Sequence, residues 1–269
     1  MSLRRQAWER LKEGGVENAF LESNWMVGLL ERSEGPENIE ARLDEWLNRR
    51  IAGEPFQYIV GSVEFYDVEL QVGPGVLIPR PETELLVDRA LEVLKSRGGG
   101  AGAMLDLCTG SGAIPLVIAR RFPALDCLGV DLSPEALRWA RQNLQNLGLA
   151  NCCFLEGDLF APVQPGKCFD LITANPPYVT PEEYTELPAV VKDYEPRLAL
   201  EAQENGLALE KAIVRQASAW LKSGGYLLLE MGETQGDALR QALEQAGFQN
   251  VVIRQDWSGR DRIAEGRWT

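Results

Sequence analysis

From Ala103 onward, short apolar runs alternate with segments of helical periodicity. The runs Ala103–Leu107, Asp126–Val130 and Phe169–Ala174 have the length of buried strands, and helical patterns separate them. Such alternation is typical of a mostly parallel sheet that helices cover on both faces. The fold class predicted for this part of the chain is therefore α/β.

The first 55 residues have a different pattern, which predicts a small helical domain. Amphipathic helices are predicted at Leu3–Lys12, Val16–Arg32 and Glu37–Ile51, with glycines and a proline between them. Residues Phe56–Val72 alternate apolar and polar side chains with an aromatic bias, which suggests a β-hairpin linking the two halves. The predicted domains are residues 1–55 (helical), 56–75 (hairpin linker) and 76–269 (α/β).

Later segments complete the predicted α/β domain. A helix over Pro81–Ser96 would lead into a flexible glycine-rich linker at Gly98–Gly102. The remaining predicted elements are a strand at Gly225–Glu230, a helix at Gln235–Ala246, and a closing antiparallel pair of strands at Val251–Arg254 and Arg262–Trp268.

The apolar run Phe169–Ala174 stops at the sequence Asn175-Pro176-Pro177-Tyr178. Two prolines can neither extend a strand ladder nor begin a helix at once, so a rigid, extended backbone is expected where the strand opens into a crevice. The Asn175 amide oxygen and the Pro176 carbonyl could accept the two hydrogens of a planar NH2 group, with the Tyr178 ring against its plane. Pro177 would stiffen the turn. An ordinary turn with a loop aromatic is the alternative.

A glycine-rich turn, Cys108-Thr109-Gly110-Ser111-Gly112, joins the strand Ala103–Leu107 to a predicted helix at Ala113–Arg121. In this geometry a nucleotide-like ligand can approach bare backbone at the N-terminus of a helix. Asp131 ends the second strand, about twenty residues after the glycines, where an acid can accept hydrogen bonds from both ribose hydroxyls. The sequence therefore predicts a nucleoside site.

The ligand of this site is not expected to be a dinucleotide or a phosphate. The glycines do not follow the G-x-G-x-x-G spacing, and no Walker lysine follows Gly112. An acid-lined site fits the cationic S-adenosylmethionine, with Asp106 near the methionine end, and Asp158 near the adenine amine, next to Leu159. Helix capping or turn formation is the alternative role for the two acids.

The segments Asp106–Gly112, Asp131 and Asn175–Tyr178 resemble the class I methyltransferases that modify planar nitrogens. With Leu77–Glu84 and Tyr194–Leu200, the chain resembles the HemK-type bacterial release-factor glutamine methyltransferases along essentially its whole length. The resemblance implies a seven-stranded sheet, S-adenosylmethionine as methyl donor and S-adenosylhomocysteine as product. It also implies a glutamine substrate in the Gly-Gly-Gln motif of class I peptide-chain release factors, docked by the N-terminal helices.

The resemblance extends to other residues of the site. Glu82 and Thr83, in the same motif as Arg80, would line the methionine end of the cofactor, although they could equally begin the following helix. Glu230, at the end of a predicted strand, is a further candidate acid. The family pattern has glycine where this chain has Cys108, so an ordinary backbone conformation or a shifted loop is expected there.

Composition restricts the possible chemistry. The 269-residue chain contains no histidine, which excludes Ser-His-Asp hydrolases and histidine-based acid–base catalysis. Direct methyl transfer needs no histidine, because the cofactor supplies the activated methyl group. The five cysteines have neither C-x-x-C spacing nor histidine partners, so reduced thiols in a cytoplasmic protein are expected and a metal site is not. Neither a secretion signal nor a membrane span is predicted.

The net charge of −13 bears on the choice of substrate. Proteins that bind duplex nucleic acid usually present a basic face, because phosphate contacts supply most of the affinity. The acidic chain therefore weakens the case for a nucleic-acid substrate, and a net charge does not by itself identify a protein substrate. Because Asn-Pro-Pro-Tyr is shared with DNA and RNA amino-methyltransferases, such an enzyme stays an alternative, as do a ribosomal-protein glutamine methyltransferase and a cofactor-binding adaptor without catalysis.

Overall fold

The structure is a computed structural model, described for residues 2–98 and 101–269, and it divides into two compact units. The smaller unit comprises the chain up to Ser62 together with Pro188–Tyr194, and the larger comprises Val63–Leu187 and Glu195–Thr269. Residues 99 and 100 of the predicted glycine-rich linker lie outside the described residues.

The smaller unit is helical, as predicted. Its helices are α1 (Leu3–Glu13), α2 (Ala19–Ser33), α3 (Pro36–Ile51), α4 (Phe56–Val60) and α9 (Ala189–Lys192). Apolar side chains at helical spacing, such as Met26, Leu30 and Leu47, form its core with at most 1% of their surface exposed.

The hairpin prediction for residues 56–60 is wrong, because this segment forms α4. Tyr58 and Ile59 are both buried there, and Gly61 ends the helix in the left-handed conformation with φ of 83°. The hairpin itself is shorter than predicted and comprises β1 (Ser62–Phe65) and β2 (Val68–Gln71).

The larger unit contains a seven-stranded sheet with the order β5-β4-β3-β6-β7-β9-β8, which confirms the predicted fold. The first five strands of this order are parallel, and β9 is antiparallel to both of its neighbours. The strands are β3 (Gly102–Leu107), β4 (Leu125–Asp131), β5 (Cys152–Glu156), β6 (Phe169–Ala174), β7 (Leu221–Glu230), β8 (Gln249–Gln255) and β9 (Asp261–Arg267).

Helices cover both faces of this sheet, with one apolar core against each face. The helices of the larger unit are α5 (Thr83–Ser96), α6 (Ala113–Arg121), α7 (Pro134–Leu147), α8 (Pro181–Glu186), a 3-10 turn (Arg197–Ala199), α10 (Gln203–Gly206), α11 (Ala208–Ala217) and α12 (Gly236–Gln245). None of the helices in the described ranges is long and apolar enough to cross a bilayer.

The strand order reverses direction at β3, because the chain runs outward through β4 and β5 and then returns to pair β6 with β3. Loops that follow adjacent parallel strands diverge at such a point and leave a crevice at the carboxyl ends of the strands. The fold therefore places the glycine-rich turn after β3 beside the loop after β6.

Candidate active site

A cleft at this crevice encloses about 1040 Å³ of space, part of it open to solvent, and all of its lining residues belong to the larger unit. The predicted site residues that line it are Arg80, Thr83, Cys108, Thr109, Gly110, Ser111, Asp131, Asp158, Leu159, Asn175 and Pro177. The predicted residues that do not line it are Glu82, Asp106, Gly112, Pro176 and Tyr178. The structure thus brings most of the predicted nucleoside site to one cavity.

The first residue of the turn after β3 has a left-handed backbone conformation. Cys108 has a φ of 55°, so the expectation of an ordinary backbone conformation there is wrong. A left-handed conformation costs about 1–2 kcal/mol for a residue with a Cβ, which the surrounding contacts offset. Burial raises the pKa of the Cys108 thiol, so it is not a reactive thiolate.

Asp131 holds the turn and faces the cavity. Its Oδ2 accepts a hydrogen bond from the Gly110 N–H at 2.8 Å, and its Oδ1 accepts one from the Ser133 N–H at 2.9 Å. Partial burial raises the pKa of Asp131, and these N–H donors lower it. Each oxygen keeps a lone pair, so the carboxylate can also accept from the two hydroxyls of a ribose.

Asp106 is placed differently from the prediction. It is fully buried beneath the turn, where its oxygens accept hydrogen bonds at 2.6 Å from the hydroxyls of Thr109 and Thr173. Burial raises the pKa of Asp106 to about 7, although both hydroxyls lower it. Asp106 therefore supports the cavity wall through Thr109 and does not itself form that wall.

The loop after β5 contributes one acid and one apolar side chain. Asp158 is exposed, and its backbone carbonyl accepts from the N–H of Ala161 in a turn. Leu159 follows with a φ of 48°. The Asp158 carboxylate is thus free to meet a polar edge of a ligand at the rim of the cavity.

The Asn175 side chain uses its amide nitrogen, but not its amide oxygen, in a hydrogen bond to another described residue. Its Nδ2 donates to Thr83 Oγ1 at 3.1 Å, at the start of α5. In the described part of the chain, neither Asn175 Oδ1 nor the Pro176 carbonyl receives a hydrogen bond. Two acceptors at the end of β6 thus remain without a partner in the described chain, as many as an NH2 group has hydrogens.

Tyr178 lies behind this loop rather than in the cavity. Its hydroxyl is 3.5 Å from Glu230 Oε1 at the end of β7. Burial raises the pKa of Glu230 to about 7, against the effects of the Thr83 hydroxyl, the Arg262 charge and the Tyr178 hydroxyl. The Tyr178 hydroxyl therefore connects the loop after β6 to the end of β7, and stacking of the ring on a substrate stays a prediction.

The two sequence motifs that carried the family resemblance meet through an ion pair. Arg80 pairs with Glu195, which is 5% exposed and also accepts from the Ile78 N–H at 3.0 Å. Motifs separated by more than a hundred residues thus form one wall of the cavity. Sequence spacing alone contained no signal for this pair.

Sequence reasoning missed several apolar lining residues. Leu132 and Leu198 are 54% and 58% exposed, and Val76 and Leu209 also line the cavity. In the sequence, the one available signal is the leucine that directly follows the acid at the end of β4. An apolar side chain at that position could be covered by a bound base.

Comparison with known proteins gives the family. The methyltransferase-domain family matches residues 100–261, and the family of PrmC N-terminal domains matches residues 29–61. A release factor glutamine methyltransferase of Thermodesulfovibrio yellowstonii is 41% identical over 81% of this chain and 77% of its own. One from Geobacter sulfurreducens is 38% identical over 97% of this chain and 94% of its own.

This chain belongs to the release factor glutamine methyltransferase family. It is a protein-glutamine methyltransferase that uses S-adenosylmethionine, as the sequence predicted. Among solved structures, a methyltransferase from Pyrococcus furiosus superposes with a TM-score of 0.55, at 18% identity over 86% of this chain and 98% of that one. That similarity shows the shared fold.

Proposed function

We propose that this enzyme methylates the side-chain amide nitrogen of the glutamine in the Gly-Gly-Gln motif of class I peptide-chain release factors. The names of relatives that are about 40% identical support this substrate. The observation that carries the chemistry is a pair of acceptors at the end of β6, Asn175 Oδ1 and the Pro176 carbonyl, that have no hydrogen-bond partner among the described residues.

The cavity fits S-adenosylmethionine by the chemistry of its lining. Asp131 would accept from the ribose hydroxyls, and Asp158 would accept from the adenine amine, with Leu132 against the base. The bare backbone of Gly110 and Ser111 would approach the rest of the molecule closely. When bound, S-adenosylmethionine supplies a methyl group on a positively charged sulfur and is released as S-adenosylhomocysteine.

The acceptor amide needs orientation more than it needs a base. A carboxamide nitrogen is a poor nucleophile, because its lone pair is delocalised into the carbonyl. Asn175 Oδ1 and the Pro176 carbonyl, each accepting one N–H, would aim the nitrogen at the methyl group. Holding both reactants in attack geometry can contribute about 7–11 kcal/mol.

The transfer itself is balanced without a cofactor beyond the methyl donor. A bond forms between the amide nitrogen and the methyl carbon as the sulfur–carbon bond breaks. The nitrogen then loses one of its two hydrogens as a proton to solvent, which restores a neutral amide. Fixed acceptor dipoles stabilise the positive charge that grows on nitrogen before that loss.

The smaller, helical unit is proposed to dock the protein substrate. Its α2 helix exposes Phe20, Leu21 and Trp25 to 64%, 49% and 54%, which is unusual for large apolar side chains. Trp25 packs against Phe56 at a ring-centroid distance of 5.7 Å, so this aromatic surface is ordered.

Transfer of labelled methyl from S-adenosylmethionine tests the substrate. The acceptors are a purified bacterial release factor, its variant with alanine in place of the motif glutamine, a ribosomal-protein preparation, and adenine-containing DNA and RNA. Label on the intact release factor alone is the expected result. Label on nucleic acid or on ribosomal protein would preserve the amide or amine chemistry and overturn the proposed substrate.

A further inference from the structure

A buried glutamine side chain is bonded to the loop that carries the two proposed hydrogen-bond acceptors. Gln235 directly precedes α12, and 5% of its surface is exposed. Its Nε2 donates to the Tyr178 carbonyl at 3.0 Å and to the Asn205 carbonyl at 3.2 Å. Its Oε1 accepts from the Gly232 N–H at 2.8 Å. Both ends of this amide are therefore bonded to backbone, and the bonds join the loops after β6 and β7 to α10.

These bonds reach the proposed substrate site through the backbone of the loop after β6. The Tyr178 carbonyl is two residues beyond the Pro176 carbonyl, and Pro177 lies between them. The ring of Pro177 fixes its own φ and restricts the backbone of the residue before it. A hydrogen bond that holds the Tyr178 carbonyl therefore also limits the directions in which the Pro176 carbonyl can point.

The next residue connects the same loop to another segment. The Val179 N–H donates to the Leu200 carbonyl, and the Val179 carbonyl accepts from the Ala202 N–H, both at 2.9 Å. Leu200 and Ala202 belong to the segment before α10, whereas Gln235 follows β7. The loop that bears Asn175 is thus held at two adjacent residues by two separate segments.

An unusual turn in α10 brings the third bonded group into reach. Glu204, Asn205 and Gly206 have φ values of 55°, 57° and 77°, a left-handed conformation that is unfavourable for the two residues with a Cβ. A Cβ at Gly206 would overlap the Tyr178 carbonyl oxygen and Gln235 Nε2. Such conformations persist only where surrounding contacts enforce them, and they are concentrated at functional sites. The turn therefore packs its backbone directly against the loop after β6.

We infer that Gln235 is a positioning residue, whose amide holds the Tyr178 carbonyl and thereby directs the Pro176 carbonyl toward the substrate N–H. The inference rests on the proposed function, because that direction matters only if a substrate N–H binds there. Gln235 is not among the described residues that line the cavity, so it acts through the loop.

Replacement of the amide by an apolar side chain of similar length tests this role. Gln235→Met removes all three hydrogen bonds, and we expect its kcat to fall by about tenfold, which corresponds to about 1.4 kcal/mol. Its Kd for S-adenosylmethionine should stay unchanged, because Gln235 bonds to none of the loops after β3, β4 and β5. Gln235→Glu is the second variant, in case the first does not fold. It keeps the acceptor for the Gly232 N–H, loses both donors when ionised, and should show the same fall in kcat.

Asn151→Asp is the matched control for a loss of stability alone. Asn151 Nδ2 donates to the carbonyls of Ala119, Phe122 and Leu125, each at 3.0 Å. These bonds lie where β4 begins, at the opposite end of the strand from the cleft. The aspartate keeps the shape of the side chain and loses the donors. Like Gln235→Met, it should lower the free energy of unfolding in urea, but it should leave kcat unchanged.

A second readout needs no methyl acceptor. Because the Val179 N–H is bonded to the Leu200 carbonyl, its exchange with deuterium reports on opening of the loop after β6. In an ¹⁵N-labelled sample with S-adenosylhomocysteine bound, this exchange should be faster in Gln235→Met than in the wild-type protein, relative to the amides of β3. It should not be faster in Asn151→Asp.

The two readouts separate the possible failures. If the Val179 N–H exchanges faster in Gln235→Met but the wild-type enzyme methylates no glutamine, the proposed function is wrong and the effect of Gln235 on the loop stands. If this exchange is unchanged, or if kcat falls no further than in Asn151→Asp, the positioning role is overturned. A weaker Kd for S-adenosylmethionine in Gln235→Met would assign Gln235 to cofactor binding and overturn that role as well.

Discussion

At the scale of single residues, Cys108 and Thr83 are examples of what the sequence alone could not predict. The nature of the glycine-rich turn was readable from its residue types, and so was the position of Asp131. The left-handed conformation of Cys108 was not, because the surrounding fold enforces it against the preference of the residue. The partner of Asn175 lies 92 residues away in sequence, a separation that no local pattern records.

Removing the Asn175 amide should separate binding from chemistry. We expect Asn175→Ala to bind S-adenosylmethionine with nearly wild-type affinity, because Asp131 and the turn after β3 are untouched. Its kcat should fall by about 100-fold or more, the scale seen when one preorganised hydrogen-bonding group is lost from an active site. Isothermal titration beside a methyl-transfer assay measures both, and unchanged turnover would remove Asn175 from the mechanism.

At the scale of elements, most of the predicted helices and strands are present, several with shifted ends, and α7 and α11 were not predicted with bounds. Residues 56–60 are rich in aromatic and β-branched side chains, which favour strands, yet burial of Ile59 in the core of the helical unit selects α4. Strand β7 begins at Leu221 rather than Gly225, because a register shift opposite β6 accommodates residues that resemble a turn in the sequence.

Two glycine substitutions should change the free energy of unfolding of the smaller unit in opposite directions. Gly61 has a φ of 83° and nothing within 4 Å of an added Cβ, so Gly61→Ala should destabilise through the backbone alone, by about 1 kcal/mol. Gly28 lies within α2, where an added Cβ has ordinary room, so Gly28→Ala should stabilise by up to about 1 kcal/mol. Urea unfolding compares them, and equal effects would contradict the assigned helix end.

At the scale of the whole molecule, the two-part division was predictable and its membership was not. The segment Pro188–Tyr194 lies far along the sequence but belongs to the N-terminal unit, where the Tyr194 hydroxyl donates to the Ala52 carbonyl at 3.0 Å. Helical periodicity locates elements along the chain, and it cannot say which distant segment completes a unit.

The proposed docking role makes a prediction about substrate size. Trp25→Ser should raise KM for an intact release factor by about tenfold, because a buried aromatic anchor is lost from the interface. It should leave KM for a short Gly-Gly-Gln peptide unchanged. Trp257→Ser is the control, since Trp257 is 88% exposed in the larger unit. An equal effect on protein and peptide would contradict docking by α2.

Three buried carboxyl groups make stability depend on pH. Burial raises the pKa of Asp106 and Glu230 to about 7 and that of Glu210 to about 8, whereas such groups ionise near about 4 in an unfolded chain. The folded protein therefore binds more protons than the unfolded one between these values. These groups lower the free energy of unfolding as the pH rises through that window.

Glu210 is the residue with which to test this, because both of its buried oxygens have no hydrogen-bond partner in the described chain. Glu210→Gln stays neutral, so it should match the wild-type protein near pH 4, below the linkage window, and exceed its stability at pH 8. Urea unfolding at the two pH values measures the difference, with the exposed Glu244→Gln as control. If the free energy of unfolding of Glu210→Gln fell with pH as steeply as that of the wild-type protein, Glu210 would not be the source of this pH dependence.

The reversal of strand order at β3 has a consequence for the design of inhibitors. In the proposed function the cleft has a donor half, lined by the loops after β3, β4 and β5, and an acceptor half, lined by the loop after β6 and the start of α5. A compound confined to the donor half would meet Asp131 and the glycine-rich turn, and an acid and a glycine-rich turn are common features of nucleotide sites at such a point of a sheet. Selectivity for this family should instead come from the part of a compound that reaches Arg80 and Thr83, because the motif around Asn175 is shared with DNA and RNA amino-methyltransferases.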